Sequence, residues 1–133
     1  MEYEKIFDPV RKKWLAATPE EQIRQHWIHL LHHEAEYPLS FLSIEKKIKV
    51  NRLEKRYDIV AYSHDSRPHI LIECKSHKVT IQQKYFQQAA AYNIAIHAPY
   101  LIVTNGIQTF IAHIDFSEGS FTFIQNIPKY KKA

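Results

Sequence analysis

Residues 57–75 read YDIVAYSHDSRPHILIECK, two apolar runs joined by a short polar segment that contains a proline. The runs have the length and the Ile, Val and Tyr content typical of β-strands. The polar residues 64–68 favour a turn, so we expect antiparallel strands over residues 57–63 and 69–75. A turn centred between Asp65 and Ser66 then places Asp58 opposite Glu73.

This register gathers charged groups at one end of the hairpin. Arg56 is predicted to lie opposite Lys75, next to the pair of acids. Because side chains alternate along a strand, Asp58, Glu73 and Lys75 should share one face. The other face is predicted to be apolar and to consist of Tyr57, Ile59, Ala61, Ile70, Ile72 and Cys74.

Two opposed carboxylates repel each other, since facing Cβ atoms in a sheet lie roughly 5 Å apart. A divalent cation would remove this repulsion, and Mg²⁺ binds a few hard oxygen ligands while keeping several waters. The backbone carbonyl of Cys74 is a further candidate ligand, and Lys75 could orient a water. Alternatively, Arg56 and Lys75 neutralise the two acids as an ordinary ion-pair cluster.

The rest of the chain predicts helices on either side of a sheet. Thr18, Pro19 and Glu21 match a helix start with a capping box, and residues 80–83 match a second one. We expect helices over 18–36 and 80–97, a possible short helix over 10–17, and further strands over 41–50, 100–104, 109–114 and 121–125. The predicted core order is α-β-β-β-α-β-β, a mixed four- to six-stranded sheet flanked by helices. One domain is expected over 1–133, with a lead-in (1–17), a core (18–127) and a frayed basic tail (128–133).

Composition narrows the function classes. The 133 residues contain two glycines and one cysteine, which excludes a Gly-rich phosphate loop, disulfides and cysteine-based zinc sites. We therefore expect no nucleotide cofactor. The chain has neither a long apolar stretch nor a secretory signal, so we expect a cytoplasmic protein with no membrane partner.

Lysine and arginine outnumber the acids by 18 to 14, and the excess is concentrated between residues 46 and 56. These basic residues are Lys46, Lys47, Lys49, Arg52, Lys55 and Arg56. Such a segment suits a nucleic-acid backbone, but lysines also protect solvated sheet edges from aggregation. Charge alone leaves both interpretations open.

The chain resembles the PD-(D/E)xK nuclease superfamily, and more closely the N-terminal nuclease domain of type I restriction endonuclease R subunits. The shared motifs, in chain order, are Pro19-Glu20-Glu21-x-x-Arg24, Lys55-Arg56-x-Asp58, Ile72-Glu73-Cys74-Lys75, Gln88-x-x-x-Tyr92-Asn93 and Thr104-Asn105-Gly106. Tyr57 stands where the superfamily motif has proline. The resemblance implies a restriction-endonuclease-like core.

The resemblance also implies a role for each motif residue. Asp58 and Glu73 would be metal ligands and Lys75 the catalytic lysine. Glu21 matches an acid that often completes the metal site, although its position also fits a capping box. Gln88 and Tyr92 would lie beside the site on one face of the second helix, where a half-buried structural role is equally open.

The expected function is Mg²⁺-dependent hydrolysis of DNA to products with 5′-phosphates, with Mn²⁺ as a substitute for Mg²⁺. The alternative is a catalytically silent DNA-binding or assembly module of a restriction system that retains the nuclease fold. Expected partners are DNA and either other restriction-system subunits or a second copy of the chain.

Overall fold

The computed structural model describes residues 2–50 and 52–132. Within them the chain forms ten strands, two α-helices, a π-helical turn and a 3₁₀ turn. In chain order these are β1 (Lys5–Asp8), β2 (Lys13–Ala16), α1 (Pro19–His29), the π-helical turn (Leu30–Glu34), the 3₁₀ turn (Leu39–Phe41), β3 (Leu42–Ile44), β4 (Lys47–Val50), β5 (Leu53–Arg56), β6 (Ile59–Tyr62), β7 (Pro68–Cys74), α2 (Gln83–Ile96), β8 (Tyr100–Thr104), β9 (Thr109–Asp115) and β10 (Ser120–Ile124).

Six strands form one mixed sheet in the order β10-β9-β8-β7-β6-β3. Strands β7 and β8 are parallel, and the other neighbours are antiparallel. Parallel neighbours need a long crossover connection, and α2 is that connection. The pairs β1–β2 and β4–β5 form separate two-stranded ribbons. The predicted α/β (α+β) fold class is therefore confirmed.

The hairpin register predicted from the sequence is confirmed. Ile59 pairs with Ile72, Val60 with Leu71, and the antiparallel ladder continues to a bulge between residues 61 and 62. The two apolar runs and the turn between them are adjacent in sequence, so local chemistry was sufficient to set this pairing.

Both faces of the β6–β7 hairpin are buried, not one. Ile59 and Ile72 pack into a core cluster with Trp27 of α1, whereas Val60 and Leu71 pack into a second cluster on the α2 side. A central strand covered on both faces is apolar along most of its length. The predicted polar face therefore exists only at the end of the hairpin that carries Asp58 and Glu73.

The chain bends at Asp58, and this bend changes the surroundings of two predicted hairpin residues. Tyr57 packs in the α2-side cluster, not with Ile59 as predicted. Arg56 belongs to β5 and pairs with Lys47, so its predicted position opposite Lys75 is wrong. The regular alternation assumed from the sequence stops where the chain leaves the sheet.

Two local predictions at the N-terminal side were wrong. Residues 10–17 do not form a helix, because the Asp8 carboxylate accepts the N–H groups of Val10 and Arg11 and builds a turn between β1 and β2. Residues 41–50 do not form one strand, because Glu45 has a positive φ of 49° and separates β3 from β4.

The predicted ends of the second helix and of the chain also differ from the structure. Helix α2 begins at Gln83, its N-cap is Gln82, and the predicted cap at Thr80 is not used. The tail is not frayed within the described residues, because the Tyr130 ring packs edge-on against Tyr37 and its N–H donates to the carbonyl of Ala35 at 2.8 Å.

Several predictions at the helix start and the strand ends are confirmed. Thr18 Oγ1 accepts the N–H of Glu21 at 3.2 Å and caps α1. Strand β8 occupies the predicted residues 100–104. Asn105 and Gly106 form the turn that follows, with φ at Gly106 of 86° and Asn105 Oδ1 accepting the N–H of Gln108 at 2.7 Å.

Candidate functional site

Asp58 lies immediately before β6 and is held at both carboxylate oxygens. Oδ2 accepts the backbone N–H of Cys74 at 2.8 Å. Oδ1 accepts Nη2 of Arg24 at 2.8 Å and Nε of the same guanidinium at 3.3 Å. Asp58 is therefore an oriented carboxylate at the junction of β6, β7 and α1.

Glu73 lies near the end of β7, beside Asp58, and is buried. Its Oε1 atom has no hydrogen-bond partner among the described residues. Burial, followed by the charge and proximity of Asp58, raises the pKa of Glu73 to about 9, while the charge of Lys75 opposes this rise. The protonated form of Glu73 is therefore favoured at neutral pH. The structure brings the two carboxyl groups together as the register predicts.

Arg24 neutralises much of the acid at this end of the sheet. Besides Asp58, its guanidinium lies 2.7 Å from Glu21 and 3.1 Å from Glu45. Arg11, from the turn between β1 and β2, binds the same two glutamates at 3.1 and 2.9 Å. Two buried or half-buried arginines thus serve several carboxylates, and Glu73 has no arginine of its own in the described part of the chain.

The ion-pair alternative named the wrong cations. Arg56 is exposed and lies 3.9 Å from Glu45, a weak contact. Within the described ranges, no ion pair joins Arg56 or Lys75 to Asp58 or Glu73. The cation that binds Asp58 comes from α1, 34 residues away in sequence.

The carboxylate of Glu21 is occupied by side-chain hydrogen bonds and shares Arg24 with Asp58. Its two oxygens accept from Arg11, Arg24 and Gln25. It does not complete a capping box, because the N–H of Thr18 donates to the carbonyl of Ala16. Glu21 therefore anchors the two arginines in the metal-free protein.

Glu20 is the acid of α1 whose charge acts on the pair, and the sequence analysis missed it. Burial and the negative charge of Asp58 raise the pKa of Glu20. The charge of Glu20 in turn helps to raise the pKa of Glu73. The sequence contains two adjacent glutamates at the start of α1, Glu20 and Glu21. Only the orientation of the helix shows which of them acts on the pair.

Lys75 follows β7, and its backbone N–H donates to the carbonyl of Thr104 at 2.7 Å. Its ammonium lies over the ring of Tyr85, 5.2 Å from the centroid. Lys84 lies over the same ring at 5.3 Å. A ring face attracts a cation, so Tyr85 fixes the position of Lys75. Tyr85 was also missed, although its place seven residues before Tyr92 puts both on one face of α2.

The two motif residues of α2 lie along this same face. Tyr92 is half-buried beneath Lys55, whose ammonium is 5.4 Å from the ring centroid. Gln88 is exposed between Tyr85 and Tyr92. Tyr92 therefore contacts the β4–β5 ribbon through Lys55 of β5.

The basic residues predicted to bind DNA lie on and around the β4–β5 ribbon. Lys46, Lys47, Lys49, Arg52 and Arg56 are exposed, whereas Lys55 is half-buried against Tyr92. This ribbon is separate from the central sheet, so its lysines do not guard an edge of that sheet. Ile48 packs against the α2-side core and attaches the ribbon to the body of the protein.

The donor set limits the kind of metal site that the chain can form. Within residues 2–50 and 52–132, no group of three or more His, Cys, Asp or Glu side chains is arranged to hold a metal. The unpartnered Glu73 oxygen beside Asp58 fits a hard divalent cation that takes two carboxylates, a backbone carbonyl and water. The Cys74 thiol is buried, and burial raises its pKa, so it is not available as a ligand or nucleophile.

Comparison with known proteins identifies the family. A family model described as the type I restriction enzyme R protein N terminus (HSDR_N) matches residues 19–128. The chain belongs to this family. The resemblance stated from the motifs is therefore confirmed at the level of the family. No curated protein matches the chain.

The fold is similar to that of a solved HsdR fragment. The fragment structure of a putative HsdR subunit of a type I restriction enzyme from Vibrio vulnificus YJ016 aligns with a TM-score of 0.59 and 17% sequence identity. The alignment covers 84% of this chain and 24% of that chain, so the chain spans about a quarter of its relative.

In the described residues, no helix has the length and apolarity to cross a membrane.

The raised pKa of Glu73 predicts how stability depends on pH. Between about pH 4.5 and about pH 9 the folded protein keeps a proton on Glu73 that the unfolded chain releases. Its contribution to the free energy of unfolding is therefore full below this window and is lost as pH rises through it, by at most about 1.4 kcal/mol per pH unit.

The check is chemical denaturation of metal-free wild type and Glu73→Gln from pH 6 to pH 9. Wild type should lose stability with rising pH relative to the variant, which has no proton to lose at this position. Parallel pH profiles would show that Glu73 is already ionised at neutral pH.

Proposed function

We propose that the chain is a Mg²⁺-dependent phosphodiesterase domain that hydrolyses DNA, with Mn²⁺ able to replace Mg²⁺. The supporting observation is the buried pair of Asp58 and Glu73, in which Oε1 of Glu73 has no hydrogen-bond partner among the described residues and the pKa of Glu73 is raised to about 9. Buried carboxyl groups with strongly raised pKa values are concentrated at functional sites. Membership of the type I R protein N-terminal family supports the same function.

In this proposal Asp58 and Glu73 hold the metal ion, with the backbone carbonyl of Cys74 as a further ligand. Mg²⁺ would polarise a phosphoryl oxygen and lower the pKa of a bound water. Glu20, whose charge already acts on the pair, faces the same place from α1. Glu21 keeps Arg11 and Arg24 in position and takes no part in metal binding.

Lys75 is the proposed catalytic lysine. Tyr85 holds its ammonium, whose charge acts on Glu73. From this position Lys75 would orient the attacking water or balance charge on the phosphate. The exposed cations of the β4–β5 ribbon contact the DNA backbone in this proposal. Tyr92 beneath Lys55 links that ribbon to α2, which also carries Tyr85.

One observation favours the second candidate, a DNA-binding or assembly module without turnover. Both oxygens of Asp58 already have hydrogen-bond partners, Arg24 and Cys74, without any metal ion. A carboxylate oxygen can accept more than one bond, so this does not exclude a metal ligand. In either case, other restriction-system subunits or a second copy of the chain remain proposed partners.

Thermal melts with and without Mn²⁺ test the metal site. Mn²⁺ at about 100 times its Kd should stabilise wild type by about 2.7 kcal/mol, a rise in Tm of several degrees. Without metal at neutral pH, Glu73→Gln should melt above wild type because it has no proton to lose at this position, and added Mn²⁺ should not raise its Tm. Lys75→Ala should keep the rise in Tm and lose plasmid cleavage.

The pattern across the three proteins separates the candidates. If neither the Tm of wild type nor its cleavage of plasmid DNA responds to Mn²⁺ or Mg²⁺, the nuclease proposal is rejected. The DNA-binding or assembly module without turnover is then the better explanation. A rise in Tm that persists in Glu73→Gln would place the metal ion elsewhere on the chain.

Tyr85 gives a finer prediction for the same reaction. Loss of a cation–π contact of about 1 kcal/mol in Tyr85→Leu should lower kcat roughly fivefold with little change in KM. Tyr85→Phe keeps the ring face and should restore kcat. Equal activity of the leucine and phenylalanine variants would show that the ring does not position Lys75.

DNA binding by the β4–β5 ribbon should depend on salt. The double reversal Lys47→Glu with Arg52→Glu should reduce the slope of log affinity against log salt by roughly one for each lost phosphate contact. The matched control is Lys131→Glu with Lys132→Glu, which changes the net charge equally in the tail. Equal slopes for the two double variants would mean that the ribbon does not hold DNA.

A further inference from the structure

The β1–β2 ribbon exposes two large aromatic side chains on its solvent face. Phe7 and Trp14 are cross-strand partners, and their ring centroids lie 5.3 Å apart. Phe7 is 44% exposed and Trp14 is 65% exposed, whereas the other tryptophan, Trp27, is 4% exposed in the core. Large aromatic rings contribute most when they are buried, so an exposed pair of this kind points to a binding surface.

The opposite face of the ribbon is fixed to the protein. Asp8 is fully buried, and its carboxylate accepts from the backbone of Val10 and Arg11 and from the side chain of Gln25 at 2.9 Å. Arg11 in turn binds Glu21 of α1. The rings of Phe7 and Trp14 therefore stand on a rigid support, and ordering them for a ligand costs little entropy.

Cations surround the aromatic pair. Lys5 is two residues before Phe7 in β1 and so shares its face, and Lys12 lies exposed at the turn. Lys13 pairs with Asp8 and therefore belongs to the opposite face of the ribbon, although it is exposed. The solvent face of the ribbon therefore combines stacking surface with positive charge.

The turn of the β1–β2 ribbon and the start of the basic segment border the same cavity. This cavity of about 600 Å³ lies between the β1–β2 turn, the 3₁₀ turn and β3, and the exposed cations Lys12 and Lys46 line it. Lys46 is the first residue of the basic segment. A chain of negative charges could pass along this cavity from one ribbon to the other.

We propose that the solvent face of the β1–β2 ribbon binds unpaired bases of single-stranded nucleic acid. Bases stack on Trp14 and Phe7, and Lys5 and Lys12 contact the adjacent phosphates. Every base has a π-face, so this binding is expected to tolerate any sequence. It requires neither the metal ion nor Asp58 and Glu73, and it is independent of cleavage.

Trp14 is the probe for the test. The fluorescence of the full chain is titrated in EDTA with a 15-nucleotide oligo-dT, its RNA counterpart oligo-rU, and an abasic strand of the same length and charge. The Trp14 signal is the difference between wild type and Trp14→Phe, which keeps an aromatic ring. We expect saturable quenching by the strands that carry bases and little by the abasic strand.

Two variants separate stacking from charge. Trp14→Ala should weaken oligo-dT binding roughly tenfold or more, in line with the contribution of one stacked base. Trp14→Phe should retain most of the affinity. Lys5→Glu with Lys12→Glu should also weaken oligo-dT binding, and the loss of affinity should be larger at low salt than at high salt. Each variant is at an exposed position, so all should fold as wild type does.

Three outcomes would overturn the proposal. One is equal affinity for the abasic and base-carrying strands, which would leave only phosphate contacts. Another is unchanged oligo-dT affinity in Trp14→Ala. The third is concentration-dependent self-association that Trp14→Ala abolishes, which would make the ribbon a protein interface. Stronger quenching by oligo-dT than by oligo-rU would identify DNA as the source of the bases, and the reverse would identify RNA.

Discussion

Asp58 connects the parts of the chain that must meet at the site. One oxygen binds the backbone of β7 at Cys74, and the other binds Arg24 of α1. Through Glu21, Arg24 shares its contacts with Arg11 and hence with the β1–β2 ribbon. Removing the arginine would leave buried carboxylates unpaired, a change that is strongly destabilising in protein interiors. The contact between Arg24 and Asp58 therefore joins the N-terminal ribbon, α1 and the central sheet.

Glu73 is the buried acid at this site that has no arginine partner among the described residues. The arginines serve Asp58 and the glutamates of α1 and the β3–β4 junction, while Glu73 sits beside Asp58 and is kept neutral by burial. A hard divalent cation would supply the missing charge. The same acidic surplus that makes the metal-free site unfavourable is what would give the site affinity for a metal ion.

The sequence predicted local structure well and long-range ion pairing poorly. The pairing of Ile59 with Ile72 follows from two adjacent apolar runs and one turn, so it could be predicted. Arg24 meets Asp58 across 34 residues, and no periodicity in the sequence encodes that distance. Tyr85 and Glu20 were missed because their roles depend on how each helix is rotated. The β1–β2 ribbon was missed because the side chain of Asp8 overrides the helical pattern of residues 10–17.

The most direct test of the central claim is anomalous diffraction from crystals grown with Mn²⁺. If Asp58 and Glu73 hold the metal ion, one strong anomalous peak should appear beside their two carboxyl groups. This peak should disappear in Glu73→Gln. A wild-type crystal without a peak beside Asp58 and Glu73 at saturating Mn²⁺ would contradict a metal site at this pair.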